Sequence, residues 1–414
     1  SLKQWQDNVG HFCEGNSRLT LVVSTAFAAP LLSLIGEENG GIHIHGNSSE
    51  GKTTALRIAC SIYGAPSIMC SWRATSNGLE GVAALYNDAL LCLDEISQVL
   101  PHAAGEIAYM IANGRGKSRA KRNGDTKPTK RWNVLFLSSG EMSLADHMED
   151  AGKKTRAGQE TRLVNIPADT GAHGIFDTLH DYDDGAQLAD ALTSSCAQYY
   201  GTPIRVFLQK LVDAPLDKLQ KNFKQFCKDF MEEHVPKDSS GQVKRVGRRF
   251  SLIAAAGELA TSLRITGWKE GDATKAAVIC YNDWIKYRGG TGQQEEKVVL
   301  SQIKHFFEQH GESRFTPLNT DSQYPSKTIN RAGYRKMNED GQEDFYVLPE
   351  SFKTDICHGL DHKFVANVLL KHGLLIPDST GRTTRAERAP WAKKSTTRVY
   401  CISARILENY INEM

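Results

Sequence analysis

The sequence predicts an α/β fold with a largely parallel sheet, followed by an all-helical region and a smaller mixed module at the C-terminus. Three observations predict it. Between Gly41 and about Ala168, short apolar runs alternate with helix-length stretches, the pattern of strands joined by helical crossovers. From 175 to 290, apolar residues recur at helical spacing with few strand signals, as in Ile204–Val212 and Phe250–Ile265. Beyond the turn-rich run Arg288-Gly289-Gly290-Thr291-Gly292, residues 295–414 mix short helices and strands. The expected divisions are a helical segment at 1–40, an α/β domain at 41–174, a helical lid at 175–290 and the C-terminal module at 295–414.

The bulk properties set limits on this reading. A chain of 414 residues is long enough for several domains with a large buried core. Its net charge of +2 does not by itself point to nucleic acid, so any basic signal must come from local clusters. Nine cysteines are scattered singly without a C-x-x-C pair, which excludes zinc-finger spacing and predicts reduced, mostly buried thiols in a cytoplasm. Cys357-His358 with His362 reads as histidines near a helix start rather than as metal ligands. The chain begins with Ser1, as a processed or excised fragment would. Leu19–Gly36 carries no charge and approaches the length of a membrane span. Pro30 interrupts it and it leads into the first strand, so a buried helix beside the sheet is expected, with no membrane involved.

The elements follow in order. The first segment ends at a predicted turn, Glu38-Asn39-Gly40-Gly41. The strand runs are Ile42–His45, Ser67–Cys70, Ala89–Leu93 and Val134–Leu137. Directly after the first comes Gly46-Asn47-Ser48-Ser49-Glu50-Gly51-Lys52-Thr53, which fits G-x-x-x-x-G-K-[ST], with Thr54 continuing into a helix. Glycines let such a loop wrap so that backbone N–H groups face phosphates. Lys52 is positioned for the β- and γ-phosphates and the Thr53 hydroxyl for Mg2+. The helix it opens turns its positive end to the same charge.

Ala89-Leu90-Leu91-Cys92-Leu93-Asp94-Glu95 is an apolar strand ending in two acids. Asp94 is the expected magnesium-shell carboxylate and Glu95 the general base for the attacking water. Val134-Leu135-Phe136-Leu137-Ser138-Ser139-Gly140-Glu141 is a second such strand. Ser139, ahead of Ser138, is expected to contact the γ-phosphate or the lytic water.

Rings of such ATPases often complete each site with an arginine from the next subunit. Arg162, before the strand Leu163–Ile166, is the expected finger, with Arg156 as competitor. Lys244-Arg245-Val246-Gly247-Arg248-Arg249 opens a helix, and Arg245 and Arg249 share one face. One of these arginines is expected to touch nucleotide, and the sequence leaves open which.

The most basic stretch, Arg115–Arg131, centres on the hairpin turn Asn123-Gly124. It lies between the two catalytic strands. Its Lys117, Arg119, Lys121 and Arg122 are expected to hold the phosphates of a threaded single strand. In the last module, a helix over Lys363–His372, a strand at Leu374–Ile376 and a closing strand at Val399–Ile402 flank a basic stretch that includes Lys393 and Lys394. This reads as a winged-helix-like module, suited to duplex DNA or to protein docking.

With these residues placed, the chain resembles the helicase-like ATPase domain of phage, plasmid and genomic-island proteins, long catalogued as a domain of unknown function and related to the replication helicases of staphylococcal cassettes. The resemblance rests on Gly46–Thr54, Leu93–Ile96, Asn113–Lys117, Ser138–Glu141, Ala157–Asp169, Arg245–Phe250 and Gly373–Leu375. It implies an AAA+ core similar to minichromosome-maintenance helicases, homo-hexameric rings, ATP as the nucleotide and replication of mobile DNA. Arg162 matches the family's finger, and Arg245 and Arg249 match a second arginine element. An upstream primase-like region, carried by many relatives, is not seen. The leading expectation is thus a ring-forming helicase motor on single-stranded DNA. An AAA+ initiator or helicase loader is the alternative. A protein-remodelling ATPase is disfavoured because the predicted hairpin tip carries no aromatic residue.

Overall fold

The computed structural model describes residues 1–119, 128–150, 157–288, 290–291, 294–318, 328–388 and 396–408. The chain divides into two compact units, Ser1–Thr291 and Gly292–Met414. Residues 1–40, expected to pack on the α/β domain, share one hydrophobic core with the strands and with the helices of 175–290 within the first unit.

In chain order, the longer elements of that unit are α1 (Ser17–Ala28), β1 (Gly40–His45), α2 (Lys52–Tyr63), β2 (Cys70–Ser71), α3 (Ser76–Leu85), β3 (Ala89–Asp94), α4 (Pro101–Asn113), β4 (Val134–Gly140), α5 (Leu144–Glu149) and β5 (Leu163–Pro167). Five further helices follow: α6 (Gly185–Gln198), α7 (Thr202–Val212), α8 (Leu216–His234), α9 (Gly241–Ser262) and α10 (Asp272–Arg288). The strands form one parallel sheet in the order β2-β3-β4-β1-β5. A parallel sheet needs cover on both faces, which explains why its strands are apolar throughout rather than half polar.

Strand alternation then sorts each residue to a face. Ile42, Ile44, Leu90, Cys92, Leu135 and Leu137 join the core built with α1, α2 and α9. Leu91, Leu93, Val134 and Phe136 join the opposite core with Trp72, α3 and α4. All twelve residues of α1 are buried. The apolar run Ser17–Ile35 is long and apolar enough to cross a membrane, yet 83% of it is buried inside the fold. Arg18 within it is held by an ion pair to Asp283 of α10, 2.8 Å away.

Two local expectations differ from the structure. Gly40 and Gly41, expected as a turn, lie inside β1. Their missing side chains make room for the Arg249 guanidinium and the Phe136 ring, so close approach and not reversal requires glycine here. The second strand is only Cys70–Ser71, because Pro66–Ile68 forms a 3-10 turn instead.

The second unit contains α11 (Gln294–His310), β6 (Phe315–Pro317), β7 (Gly333–Met337), β8 (Glu343–Val347), α12 (His362–Lys371), β9 (Leu375–Ile376), β10 (Arg385–Glu387) and β11 (Thr397–Ile402). Its sheet runs β10-β11-β8-β7-β6, with β9 also paired to β11. Phe307, Phe315 and Phe345 cluster at its centre. Cys357 is part of this core and fully buried. Lys393 and Lys394 lie outside the described residues.

Candidate functional site

The candidate site is built where three parallel strands end. After β1 the chain turns through residues 46–51 into α2. Ser49 and Gly51 take left-handed backbone angles, φ 67° and 86°. A Cβ at Gly51 would come within 2.6 Å of the Ile175 side chain, so glycine is required there. Lys52, 8% exposed, folds back and donates to the carbonyls of Gly46 (2.8 Å) and Asn47 (2.5 Å). The loop thus holds an ammonium within its own curve, the charge a phosphate would answer.

The face-sorting of the strands decides which polar groups meet. Asp94 continues the Leu90 and Cys92 face of β3, and Ser139 continues the Leu135 and Leu137 face of β4. Both therefore turn toward α2, where Thr53 waits. The Thr53 hydroxyl lies 3.3 Å from Asp94 Oδ1. The Ser139 hydroxyl donates to the same oxygen at 2.5 Å and accepts from the Glu95 amide at 3.1 Å. Glu95 is itself held at φ 60°, an uncommon angle for a residue with a side chain, of the kind that concentrates at functional sites. Its carboxylate accepts from the Ser97 hydroxyl at 2.6 Å.

Ser138 faces the other way. Its hydroxyl accepts from the Trp72 indole (2.8 Å) and bonds His43 Nδ1 (2.8 Å), while His43 Nε2 meets the Met142 carbonyl (2.9 Å). The carbonyl can only accept, so Nε2 carries the proton and Nδ1 accepts from Ser138. Burial pushes the His43 pKa down to about 3, which keeps the ring neutral as this network demands.

A cavity of about 330 Å³ opens on Ser48–Thr54 and Glu95. Glu141 and, from α6, Ala186, Ala189 and Asp190 complete its wall. Sequence reasoning did not assign these four. Ala186 and Ala189 carry no chemical signature, and α6 is brought to the loop only by the tertiary fold. Among the described residues, the wall carries Glu50, Glu95, Glu141 and Asp190 against the single cation Lys52. A larger cavity, about 1130 Å³, lies among α8, α9 and α10, where apolar side chains such as Phe223, Phe226, Leu259 and Val278 meet polar ones such as Glu233, His234 and Glu258.

The arginines stand at the other end of the sheet. Arg162 immediately precedes β5, and its carbonyl accepts from the Gly41 amide at the start of β1. The strand between that point and the loop spans about 16 Å at roughly 3.3 Å per residue. The Arg162 guanidinium lies 4.3 Å from the centre of the Tyr109 ring and bonds the Gly158 carbonyl at 2.9 Å. Arg245 is half-exposed, 3.7 Å from Glu38. Arg249, expected beside Arg245 as a nucleotide contact, is enclosed in the fold. It is 6% exposed and donates to the carbonyls of Thr161 (2.9 Å), Arg162 (3.5 Å) and Asn39 (3.3 Å). It clasps β1 to β5. Burial lowers its pKa to about 10. Arg156 lies outside the described residues.

In the basic stretch, Arg115 and Arg131 form an antiparallel bridge and the Gly116 amide bonds the Lys130 carbonyl at 3.0 Å. These pairs are the neck of the expected hairpin. Lys121, Arg122 and the Asn123-Gly124 turn lie outside the described residues. Lys117 is exposed. Arg119, expected on DNA, is instead paired with Glu80: Nη1 to Oε1 at 2.8 Å and Nη2 to Oε2 at 2.7 Å. The Glu80 carboxylate is shielded from water and needs such a partner, which Arg119 supplies while keeping 39% of its own side chain exposed.

A family model described as "Domain of unknown function (DUF927)" matches residues 1–131. No curated protein matches the chain. A solved structure described as "SCCmec type IV Cch - active helicase" superposes with a TM-score of 0.69. The fold is helicase-like. That structure is 16% identical, and the match covers 100% of this chain and 70% of that one. At such identity the likeness speaks for the helicase-like fold, a mixed α/β architecture on a parallel sheet, and for nothing finer.

Proposed function

We propose that this chain is the ATP-hydrolysing motor of a ring-forming DNA helicase that moves on single-stranded DNA in the replication of a mobile element or phage. The observation that carries this reading is the convergence of Thr53, Asp94, Ser139 and Glu95 at the mouth of the loop that holds Lys52. The strand order β2-β3-β4-β1-β5 and the similarity to a helicase structure support an AAA+ P-loop core.

In this reading, residues 46–54 cradle the phosphates of ATP, and Lys52 trades its two backbone carbonyls for phosphate oxygens. The Thr53 hydroxyl and the Asp94 carboxylate, 3.3 Å apart, are oxygen donors that would hold Mg2+. That ion, when bound, supplies positive charge against the β- and γ-oxygens. Glu95 takes the proton of the attacking water. Ser139 holds Asp94 and the Glu95 backbone in register, acting on both through hydrogen bonds. Among the described residues the wall carries more carboxylates than cations, so a triphosphate would draw on positive charge from elsewhere. Arg162, at the far end of its own sheet, fits as the cation supplied to the neighbouring subunit's site, with half-exposed Arg245 beside it. This supports a ring, which we take as a homo-hexamer.

Exposed Arg115, Lys117, Lys130 and Arg131 at the hairpin neck would engage DNA phosphates. The helix α12 followed by β9 and β11 supports a winged-helix-like second unit that binds duplex DNA. The deciding measurement is the ATPase rate with and without single-stranded DNA, for the native chain and Glu95→Gln. Stimulation by DNA that disappears in the variant is expected. Hydrolysis indifferent to DNA would overturn the motor reading in favour of an initiator or loader.

A further inference from the structure

The basic neck and the carboxylate site are joined by an unbroken run of specific contacts, and its pivot is a residue without a role in nucleotide or DNA binding. Glu80 sits in the middle of α3 and is 2% exposed. Both its oxygens are taken by the Arg119 guanidinium, and Oε2 also lies 3.4 Å from the Lys117 amide. The neck wraps it closely: a Cβ at Gly116 would come within 2.4 Å of Oε1. Arg119 reaches a turn back along the same helix to the Asn77 side chain at 2.7 Å. Four hydrogen bonds, three of them from one guanidinium, therefore fasten the neck to α3. The pairing with Arg119 holds the Glu80 carboxyl below its usual range, so the bond is fully charged at neutral pH.

At its other end α3 is fastened to the site. Trp72, three residues before its N-cap Thr75, is fully buried. Its amide donates to the Asp94 carbonyl at 3.2 Å, and its indole donates to Ser138 at 2.8 Å. Ser138 adjoins Ser139, which holds Asp94 and Glu95. A displacement of the neck cannot be absorbed at Glu80 without leaving a buried carboxylate unpaired, so it is passed to α3, and from there to the backbone of Asp94 and the side chain of Ser138.

Resting on the motor reading above, we infer that Glu80 is the positioning residue that couples engagement of DNA at the neck to the hydrolytic carboxylates. Glu80 touches neither substrate. It makes α3 and the basic neck one rigid lever.

The test uses the full chain and a poly-dT oligonucleotide as probe, comparing native protein with Glu80→Gln. The basal rate and the KM for ATP are expected to stay within about twofold and oligonucleotide affinity within about threefold, while DNA stimulation of kcat falls about fivefold or more. Binding without stimulation is a signature that general destabilisation does not produce. Asn77→Ala, at an exposed position and so safe for folding, removes one bond of the clamp and is expected to reduce stimulation about twofold. Full stimulation in both variants would overturn the inference, as would a loss of affinity that matches the loss of stimulation. A native chain that DNA does not stimulate would sink the motor reading first, and this coupling with it.

Discussion

The Arg249 guanidinium stands where a side chain on Gly40 would have to go: a Cβ there would lie 2.1 Å from its carbon. The two residues are 209 positions apart, and each explains the other. Glycine admits the guanidinium, and the guanidinium satisfies carbonyls at the ends of two strands that begin beside it.

Arg249→Met should therefore cost about 2–4 kcal/mol of stability, because buried carbonyls lose their donors. Gly40→Ala should destabilise through overlap. Combining them should cost less than the sum of the two, since the smaller side chain relieves the clash. Denaturant unfolding of the three variants checks this. The KM for ATP should stay within about twofold in Arg249→Met, in contrast to a nucleotide-contact role.

Ser139 and Ser138 are adjacent and should separate by phenotype. Ser139→Ala removes the hydroxyl shared by Asp94 and the Glu95 amide, and kcat for ATP should fall roughly 10- to 100-fold with little change in melting temperature. Ser138→Ala strands the Trp72 indole and His43, and should cost about 1–3 kcal/mol of stability. Steady-state kinetics beside melting curves distinguish the two.

His43 makes a pH prediction. Its folded pKa, about 3, lies below the ordinary value of 6.5. Between those values the unfolded chain binds a proton that the folded chain refuses, so stability falls as pH drops through that window. The slope is at most about 1.4 kcal/mol per pH unit for one such group. His45, whose pKa burial also lowers, adds in the same sense. His43→Gln should lower stability at pH 7.5 but flatten its decline toward pH 5, read from unfolding midpoints across that range.

The placement of Arg162 predicts complementation. With Arg162 in the proposed finger role, Arg162→Ala and Lys52→Ala should each abolish most hydrolysis, the first by roughly a thousandfold. Mixed at equal amounts and allowed to reassemble, the two should recover measurable ATPase, because some interfaces then pair an intact loop with an intact arginine. Absence of recovery in mixed oligomers would show that both residues act on one chain.

Much of the site was legible in the sequence because it is local. Gly46–Thr54 is contiguous, and the alternation in Leu90-Leu91-Cys92-Leu93-Asp94 already assigns Asp94 to a face. The same alternation, carried through Val134–Ser139, separates the roles of the two serines. What escaped is long-range. Glu80 is an ordinary helical glutamate until Arg119 is seen against it. Gly40-Gly41 has the composition of a turn, and only the partners at Arg249 and Phe136 make it a strand. Arg245 and Arg249 share a helix face by spacing, yet one is half-exposed and the other is closed over by two strand ends. The division expected near residue 175 does not separate cores, because α9 and α10 return to pack on α1.

That packing has a consequence for biosynthesis. The helix α1 is complete once Ala28 has emerged, but its main cover, α9 and α10, lies roughly 210 residues further along the chain. At about 5–20 residues per second, the ribosome exposes this largely apolar segment, with Arg18 its one charge, for some 10–40 seconds before it can be enclosed. The nascent chain therefore displays an early hydrophobic signal in competition between holding chaperones and the targeting machinery that recognises apolar helices. Delay or truncation within α9 would strand the polypeptide in that state.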